Sequence, residues 1–234
     1  MLKKIFINLL KKVYYFFQPM MPNMGFVMTS KIWSLGREHN FNVYDRVDYV
    51  RVMSLELISQ EIKESNVEGN VAEFGVFQGE FASKINEAFP NKKLYLFDTF
   101  EGFNKEEENK DKKENFFTEH VTDFSKTSVD IVLKNMKFPE NCIIKKGYFP
   151  DTTKDIPIDE QFAFVSIDTD LYDPIYNGLL YFYPRLQKGG YIFIHDYNSV
   201  GYKGAKLAVK KFTTENNISF FPLCDGGGTC VISK

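Results

Sequence analysis

The amino-acid sequence predicts an α/β fold: a mostly parallel seven-stranded sheet with an antiparallel edge strand and helices on both faces. Three observations carry this. From Asn70 onward, short apolar runs alternate with helical periodicities, the grammar of a parallel sheet with right-handed crossovers. The run Phe162 to Ile167 (FAFVSI) is apolar almost throughout, as a strand covered on both faces must be. After the last helical segment come two short strand-like runs with no helix between them, which fits an antiparallel edge. The chain has 234 residues, 44% hydrophobic and 26% charged, enough for one large domain or a domain with an appendage. Its 29 basic and 31 acidic residues leave a net charge of −2 and no basic footprint, which argues against a nucleic-acid partner. Three cysteines, Cys142, Cys224 and Cys230, are too few and too scattered for a disulfide framework or a zinc site, and fit a reducing, cytoplasmic setting. A lysine-rich usage with only four arginines points to an AT-rich bacterial genome.

Residues 1–17 (MLKKIFINLLKKVYYFF) carry apolar positions at helical spacing, broken by lysine pairs. The segment is too short and too charged to span a bilayer and lacks a small-residue cleavage site. A helix packed on the body or on a second subunit is the favoured reading, and contact with a membrane surface the other. We divide the chain accordingly into an appendage, residues 1–43, and a main domain, residues 44–234. Asp45 to Asn66 reads as a helix stopped by Gly69. Strands follow at Asn70–Gly75, Lys93–Phe97, Cys142–Lys145, Phe162–Ile167 and Tyr191–Ile194. Helices are expected over Gly79–Phe89, Ile175–Leu186 and Gly204–Asn216, and the closing strands lie around Phe220 and at Cys230–Ser233. Asp173-Pro174 reads as a helix cap followed by proline at the first helical position. Asn104 to Asn115 (NKEEENKDKKEN) is polar throughout, so it is expected as a solvated loop or a lid.

In an open parallel sheet, ligands bind beyond the C-terminal strand ends. Those ends read Glu73-Phe74-Gly75, Asp98, Gly147-Tyr148, Asp168-Thr169-Asp170 and His195-Asp196. The first loop, Gly75 to Gly79, has Phe77 where a dinucleotide fingerprint needs its middle glycine, which argues against a pyrophosphate ligand. S-adenosylmethionine makes no such demand. Its amino-acid part can lie on the glycine turn, Glu73 can face its positive groups, and Asp98 stands where a carboxylate meets ribose hydroxyls. For Gly75 and Gly79 the competing reading is a tight turn with close packing. Asp168, Asp170, His195 and Asp196 form a second group. Crowded carboxylates need a cation, a shared proton or solvent, and oxygen ligands with one imidazole suit Mg²⁺ or another divalent ion. One carboxylate can then remove a hydroxyl proton while a methyl group is attacked in line. The aromatic residues, 16% of the chain, fall into three populations. One lies inside strands and helices. A second sits at strand ends (Phe77, Phe100, Phe103, Tyr148, Phe149, Tyr172, Tyr197) and can wall a dry pocket. A third lies at residues 14–17.

The motifs VAEFGVFQGEF (Val71–Phe81), LFDTFEGF (Leu96–Phe103), SIDTDLYDP with LYFYPRLQKGGYIFIHDYN (Ser166–Asn198) and GAKLAVKKF (Gly204–Phe212) resemble the macrocin O-methyltransferase family, from about Tyr44 to the C-terminus. The resemblance implies a Rossmann-like class I methyltransferase fold, methylation of a sugar hydroxyl, divalent-metal dependence and a homo-oligomer. It implies cofactor contacts by Glu73, Phe74, Gly75, Val76, Gly79, Asp98, Thr99, Phe100 and Asp168, with the adenine near Tyr148 and Phe149. It puts metal and base roles on Asp168 and Asp170 and on the acidic pair ending the fifth strand. That pair usually reads Asp-Asp; here it is His195-Asp196. Asp168, His195 and Asp196 are therefore the expected ligands, with Asp170 or His195 as base. Two alternatives stay open: a metal-free methyltransferase with His195 as base, and a non-catalytic subunit that keeps the fold.

Overall fold

The computed structural model describes residues 12–13, 16–17, 49–117 and 123–234. The chain divides into two compact units, residues 1–39 and 40–234. Of the first unit, residues 12–13 and 16–17 are helical and exposed; the rest of the segment read as an appendage lies outside the described residues. Among the described residues, no helix is long and apolar enough to cross a membrane.

The second unit runs α1 (Tyr49–Glu64), β1 (Asn70–Phe74), α2 (Glu80–Ala88), β2 (Leu94–Asp98), α3 (Lys105–Lys113), α4 (Val129–Asn135), β3 (Cys142–Lys146), β4 (Phe162–Ile167), α5 (Tyr172–Arg185), β5 (Leu186–Ile194), α6 (Lys203–Glu215), β6 (Phe221–Pro222) and β7 (Cys230–Ser233). The seven strands form one sheet in the order β3-β2-β1-β4-β5-β7-β6. β1 to β5 are parallel, and β7 runs antiparallel to both β5 and β6. The order reverses between β1 and β4, and this opens a crevice at their C-terminal ends. One face of the sheet buries Phe97, Phe162, Val165 and Ile192 against Leu179 and Phe182 of α5 and Val209 and Phe212 of α6. The other buries Leu94, Leu96, Phe164 and Phe193 against Leu55 and Ile62 of α1, Phe81 and Ile85 of α2 and Val132 of α4. Most of the aromatic excess is here, as edge-to-face pairs such as Phe97–Phe182 (5.5 Å) and Phe164–Phe193 (5.1 Å).

Three expectations are corrected. The polar stretch 104–115 is not a loop: α3 spans Lys105–Lys113. Asn104 caps it by accepting from the backbone N–H of Glu106 (2.9 Å) and Glu107 (3.3 Å). Glu106, Glu107 and Glu108 sit in the first turn and Lys110, Lys112 and Lys113 in the last, complementing the helix dipole. Nor is the stretch wholly solvated, because Asp111 is 2% exposed and accepts from Tyr172 N at 2.9 Å. That bond caps α5 from outside. It corrects the second expectation: α5 starts at Tyr172, and Asp173 lies in its first turn, paired with Lys110. Pro174 is tolerated there because first-turn N–H groups have no intrahelical acceptor. Third, β5 begins at Leu186 and contains the glycine pair expected to precede it, with a register shift against β4 between Phe162 and Phe164. A Cβ on Gly190 would stand 2.8 Å from Ala163 O, so only glycine passes at this irregularity.

Asp111→Ala is expected to lower the unfolding free energy by about 1–2 kcal/mol, the usual scale for losing a cap, with a smaller loss for Asp111→Asn. Urea unfolding followed by circular dichroism measures both.

Candidate active site

The strand ends converge on a cavity of about 600 Å³, well within the range of small-molecule sites. At its floor β1 and β4 approach closely. Gly75 adopts φ 87°, and a Cβ there would overlap Asp168 O and lie 2.6 Å from Asp168 C. Glycine is therefore dictated first by the neighbouring strand, and the bare turn faces the cavity as a consequence. Asp98 organises the surrounding loops. Its Oδ2 accepts from Val76 N (2.7 Å) and Phe77 N (2.9 Å), and its Oδ1 from Phe100 N (2.6 Å). A carboxylate has roughly four lone-pair sites, so capacity for one further donor remains on its cavity side. Glu73 is 1% exposed, and its Oε2 has no hydrogen-bond partner among the described residues. Burial holds its carboxyl well above the usual range, with Arg51 opposing. An orphaned buried carboxylate oxygen in a cavity wall is a receptor for a cationic or N–H-bearing ligand group.

Phe74, Val76, Thr99 and Tyr148 line the same cavity. Tyr148 is 40% exposed and donates its hydroxyl to Glu107 Oε1 at 2.8 Å, so α3 forms part of the rim. Two expected cofactor residues do not reach the cavity. Gly79 packs under α4, where its Cβ would stand 3.1 Å from Val132 and Met136. The Phe100 ring is 5% exposed and lies in the core with Val132 and Phe81; its contribution is the N–H given to Asp98. Of the strand-end aromatics, Phe77, Phe103, Tyr148 and Phe149 line the cavity, whereas Tyr172 and Tyr197 do not. Phe124 and Tyr202, which sequence reasoning missed, complete the wall, with Phe124 against Phe77 (5.2 Å) and Phe103 (4.9 Å).

The second group assembles as the strand ends imply. His195 Nδ1 lies 3.0 Å from Asp168 Oδ1 and 2.8 Å from Asp196 Oδ2. Asp170 faces the Asp196 and Asp168 carboxylates, whose charges disfavour its own ionisation. Asp170 and Asp196 adopt left-handed backbone, φ 62° and 58°, a strain that clusters at functional sites. Burial, reinforced by Asp196 and Asp168, holds Asp170 well above the usual carboxylate range. Burial would also raise Asp168, but the His195 and Arg51 cations outweigh it and hold that group well below its usual range. Burial alone would lower the His195 imidazole; the Asp168 and Asp196 carboxylates outweigh it and push it up to about 9. Asp168, His195 and Asp196 can each aim one donor atom at a common point, within 4.8 Å of one another. Ligands about 2.1 Å from an octahedral centre stand about 3 Å apart, so the spacing fits a small divalent ion as well as it fits a proton.

Arg51 was not anticipated. It lies on α1, 4% exposed, donating to Asp168 Oδ2 (2.9 Å) and Ser166 Oγ (3.0 Å), with its guanidinium 3.7 Å over the Phe81 ring. A signal existed: Arg51 shares a helical face with Leu55, Ile58 and Ile62, and a charge on an apolar face demands a buried partner.

A parallel sheet reversed at β1/β4, a glycine turn and acidic strand ends around one cavity define a Rossmann-like methyltransferase. The profile of the family described as Macrocin-O-methyltransferase (TylF) matches residues 27–232, so the chain belongs to that family and is an O-methyltransferase. The match begins upstream of Tyr44, inside the segment read as an appendage. The mycinamicin III 3''-O-methyltransferase of Micromonospora griseorubida is 26% identical over 174 residues, 69% of this chain and 68% of the relative. The demethyldecarbamoylnovobiocin O-methyltransferase of Streptomyces niveus is 24% identical over 172 residues, 69% and 65% of the two chains. Among solved structures, the O-methyltransferase NovP superposes with a TM-score of 0.61 at 21% identity over 79% of each chain. CalS11, a calicheamicin methyltransferase, gives 0.59 at 17% over 78% of each. At these identities the likeness is one of fold.

Arg51→Met strips Asp168 of one cation. Because the Asp168 side chain keeps 23% exposure, the expected loss is about 2 kcal/mol, below that for a fully buried pair. Chemical denaturation of the variant at pH 7 checks it.

Proposed function

We propose that this chain transfers the methyl group of S-adenosylmethionine to a sugar hydroxyl of a glycan or glycosylated metabolite, with a divalent cation as helper. One observation carries the reading. A single cavity holds an orphaned buried carboxylate at the β1 end and a cluster of three carboxylates and an imidazole at the β4 and β5 ends. The first suits the ammonium of the methionine part, and the second the deprotonation of an acceptor. The relatives, one named for 3''-O-methylation of mycinamicin III and one for O-methylation of demethyldecarbamoylnovobiocin, support the acceptor class.

Glu73 receives the methionine ammonium, and the free capacity of Asp98 meets a ribose hydroxyl. Tyr148 and the Phe77 side of the cavity border the adenine. Asp168, His195 and Asp196 would hold the cation, which when bound supplies positive charge that favours loss of the acceptor proton. Arg51 keeps Asp168 ionised and in place. Asp170 serves as base in its ionised form, which the positive charge of a cation held by Asp168, His195 and Asp196 would favour: Asp168 is committed to Arg51 and His195, whereas Asp170 faces another carboxylate and the cavity. As the acceptor oxygen bonds to the methyl carbon, the carbon–sulfur bond breaks in line. The sulfonium leaves as the neutral thioether of S-adenosylhomocysteine, and the hydroxyl proton ends on Asp170. The aromatic wall excludes water from the transfer. Nothing in the geometry favours His195 as base, since Nδ1 faces two carboxylates and Nε2 faces Gly227. We also propose residues 1–43 as a packing or subunit-contact appendage and the enzyme as a homo-oligomer.

Calorimetry should show S-adenosylhomocysteine binding to the full chain with or without metal; a folded chain that fails to bind it overturns the proposal. Asp170→Asn should cut methyl transfer roughly 100-fold or more, with S-adenosylhomocysteine affinity within about threefold. Excess chelator should abolish transfer to a glycosylated acceptor, read as S-adenosylhomocysteine release, and added Mn²⁺ or Mg²⁺ should restore it. Undiminished turnover in chelator removes the metal role.

A further inference from the structure

The loop between β6 and β7, Asp225 to Thr229 (DGGGT), lends Gly226 and Gly227 to the cavity wall and is given no role in the chemistry above. It is rigid by construction. The Asp225 carboxylate accepts from Thr229 N (2.6 Å) and Thr229 Oγ (2.5 Å), and Thr229 is fully buried. Gly228 O accepts from Asn198 N (3.1 Å), which ties the loop to the turn after β5. Gly228 needs to be glycine for its backbone, at φ 72°. Gly227 does not, because its φ lies outside the left-handed region. What Gly227 meets instead is the imidazole: a Cβ there would overlap His195 Nε2 and Cε1 and lie 2.8 Å from Cδ2. The ring could give way only by leaving Asp168 and Asp196, which hold its Nδ1 at 3.0 and 2.8 Å.

We infer that Gly227 is a positioning residue for His195: its bare Cα forms a seat for the ring, turning Nε2 to the loop and fixing Nδ1 between the two carboxylates. The seat matters for the reaction because it fixes Nδ1 as the ring nitrogen that meets the two carboxylates. The side chain at position 195 is thereby held to a single geometry, by packing on one side and hydrogen bonds on the other. The inference rests on the role of His195 proposed above, but its test does not use methyl transfer.

Four chains decide it: the unaltered protein, Gly227→Ala, His195→Ala and the double variant, compared by thermal unfolding, by S-adenosylhomocysteine calorimetry and by the NMR signal of the His195 Nδ1 proton. With His195 present, Gly227→Ala should lower the unfolding midpoint by roughly 5 °C and remove the low-field Nδ1–H signal, which His195→Ala assigns by its absence. In the His195→Ala background the same substitution should cost less than a third of that shift. S-adenosylhomocysteine affinity should stay within threefold throughout. An equal midpoint loss in both backgrounds overturns the proposal, because the glycine then serves the loop alone; so does an unchanged Nδ1 signal in Gly227→Ala. Should Gly227→Ala fail to fold, recovery of a folded chain in the double variant supports the seat, and failure of both overturns it. Mn²⁺ titration of the unaltered protein is read separately: absence of binding removes the metal role and leaves the unfolding cycle as decisive as before.

Discussion

At the end of β4, Asp168 donates its backbone N–H to Phe74 O at 2.7 Å and lays its carbonyl against Gly75, where any side chain would collide. The same residue holds Arg51 with one carboxylate oxygen and His195 with the other. One position thus closes the sheet at its switch point, anchors α1 to the cavity and sets the imidazole of β5 in place. Strand register and site geometry cannot be separated here. A shift of β4 by one residue would carry the carboxylate to the opposite face of the sheet and leave Arg51 buried without its partner.

Charge explains why so much acid can gather in one place. Asp168, Asp170, Asp196 and Glu73 face a common cavity, and such a set would repel without compensation. Arg51 and the imidazolium offset the charge of Asp168, while burial and neighbouring carboxylates push Asp170 and Glu73 above the usual carboxylate range. The carboxylates therefore differ in what they can do despite their chemical likeness. Environment sorts them into an anchor held ionised by two cations, a crowded Asp170 beside Asp196, and a buried receptor for a ligand group.

The aromatic content divides along physical lines. Rings on alternate strand positions fill both faces of the sheet, where their area adds most to burial. A smaller set reaches the cavity wall, and membership was decided by the turns rather than by position at a strand end. Phe100, in left-handed backbone, turns into the core, whereas Phe103 three residues later faces the cavity.

Periodicity alone determined the alternation of strands and helices, the parallel sheet with its antiparallel edge, and the acidic strand ends, because a side chain's face follows directly from its spacing along the chain. The motif resemblance determined the family in the same way, from residues in fixed order. α3 was legible in principle, through the Asn104 cap and the acidic-to-basic gradient along 105–113, but it has no apolar face to announce it. Only the tertiary structure decided that Arg51 meets Asp168 across 117 residues of chain, that Asp111 caps a distant helix, and that Gly227 presses on His195. These are contacts between elements far apart in sequence. Their partners are chosen by the packing of α1, α3 and the last hairpin around the sheet, and no local pattern encodes that choice.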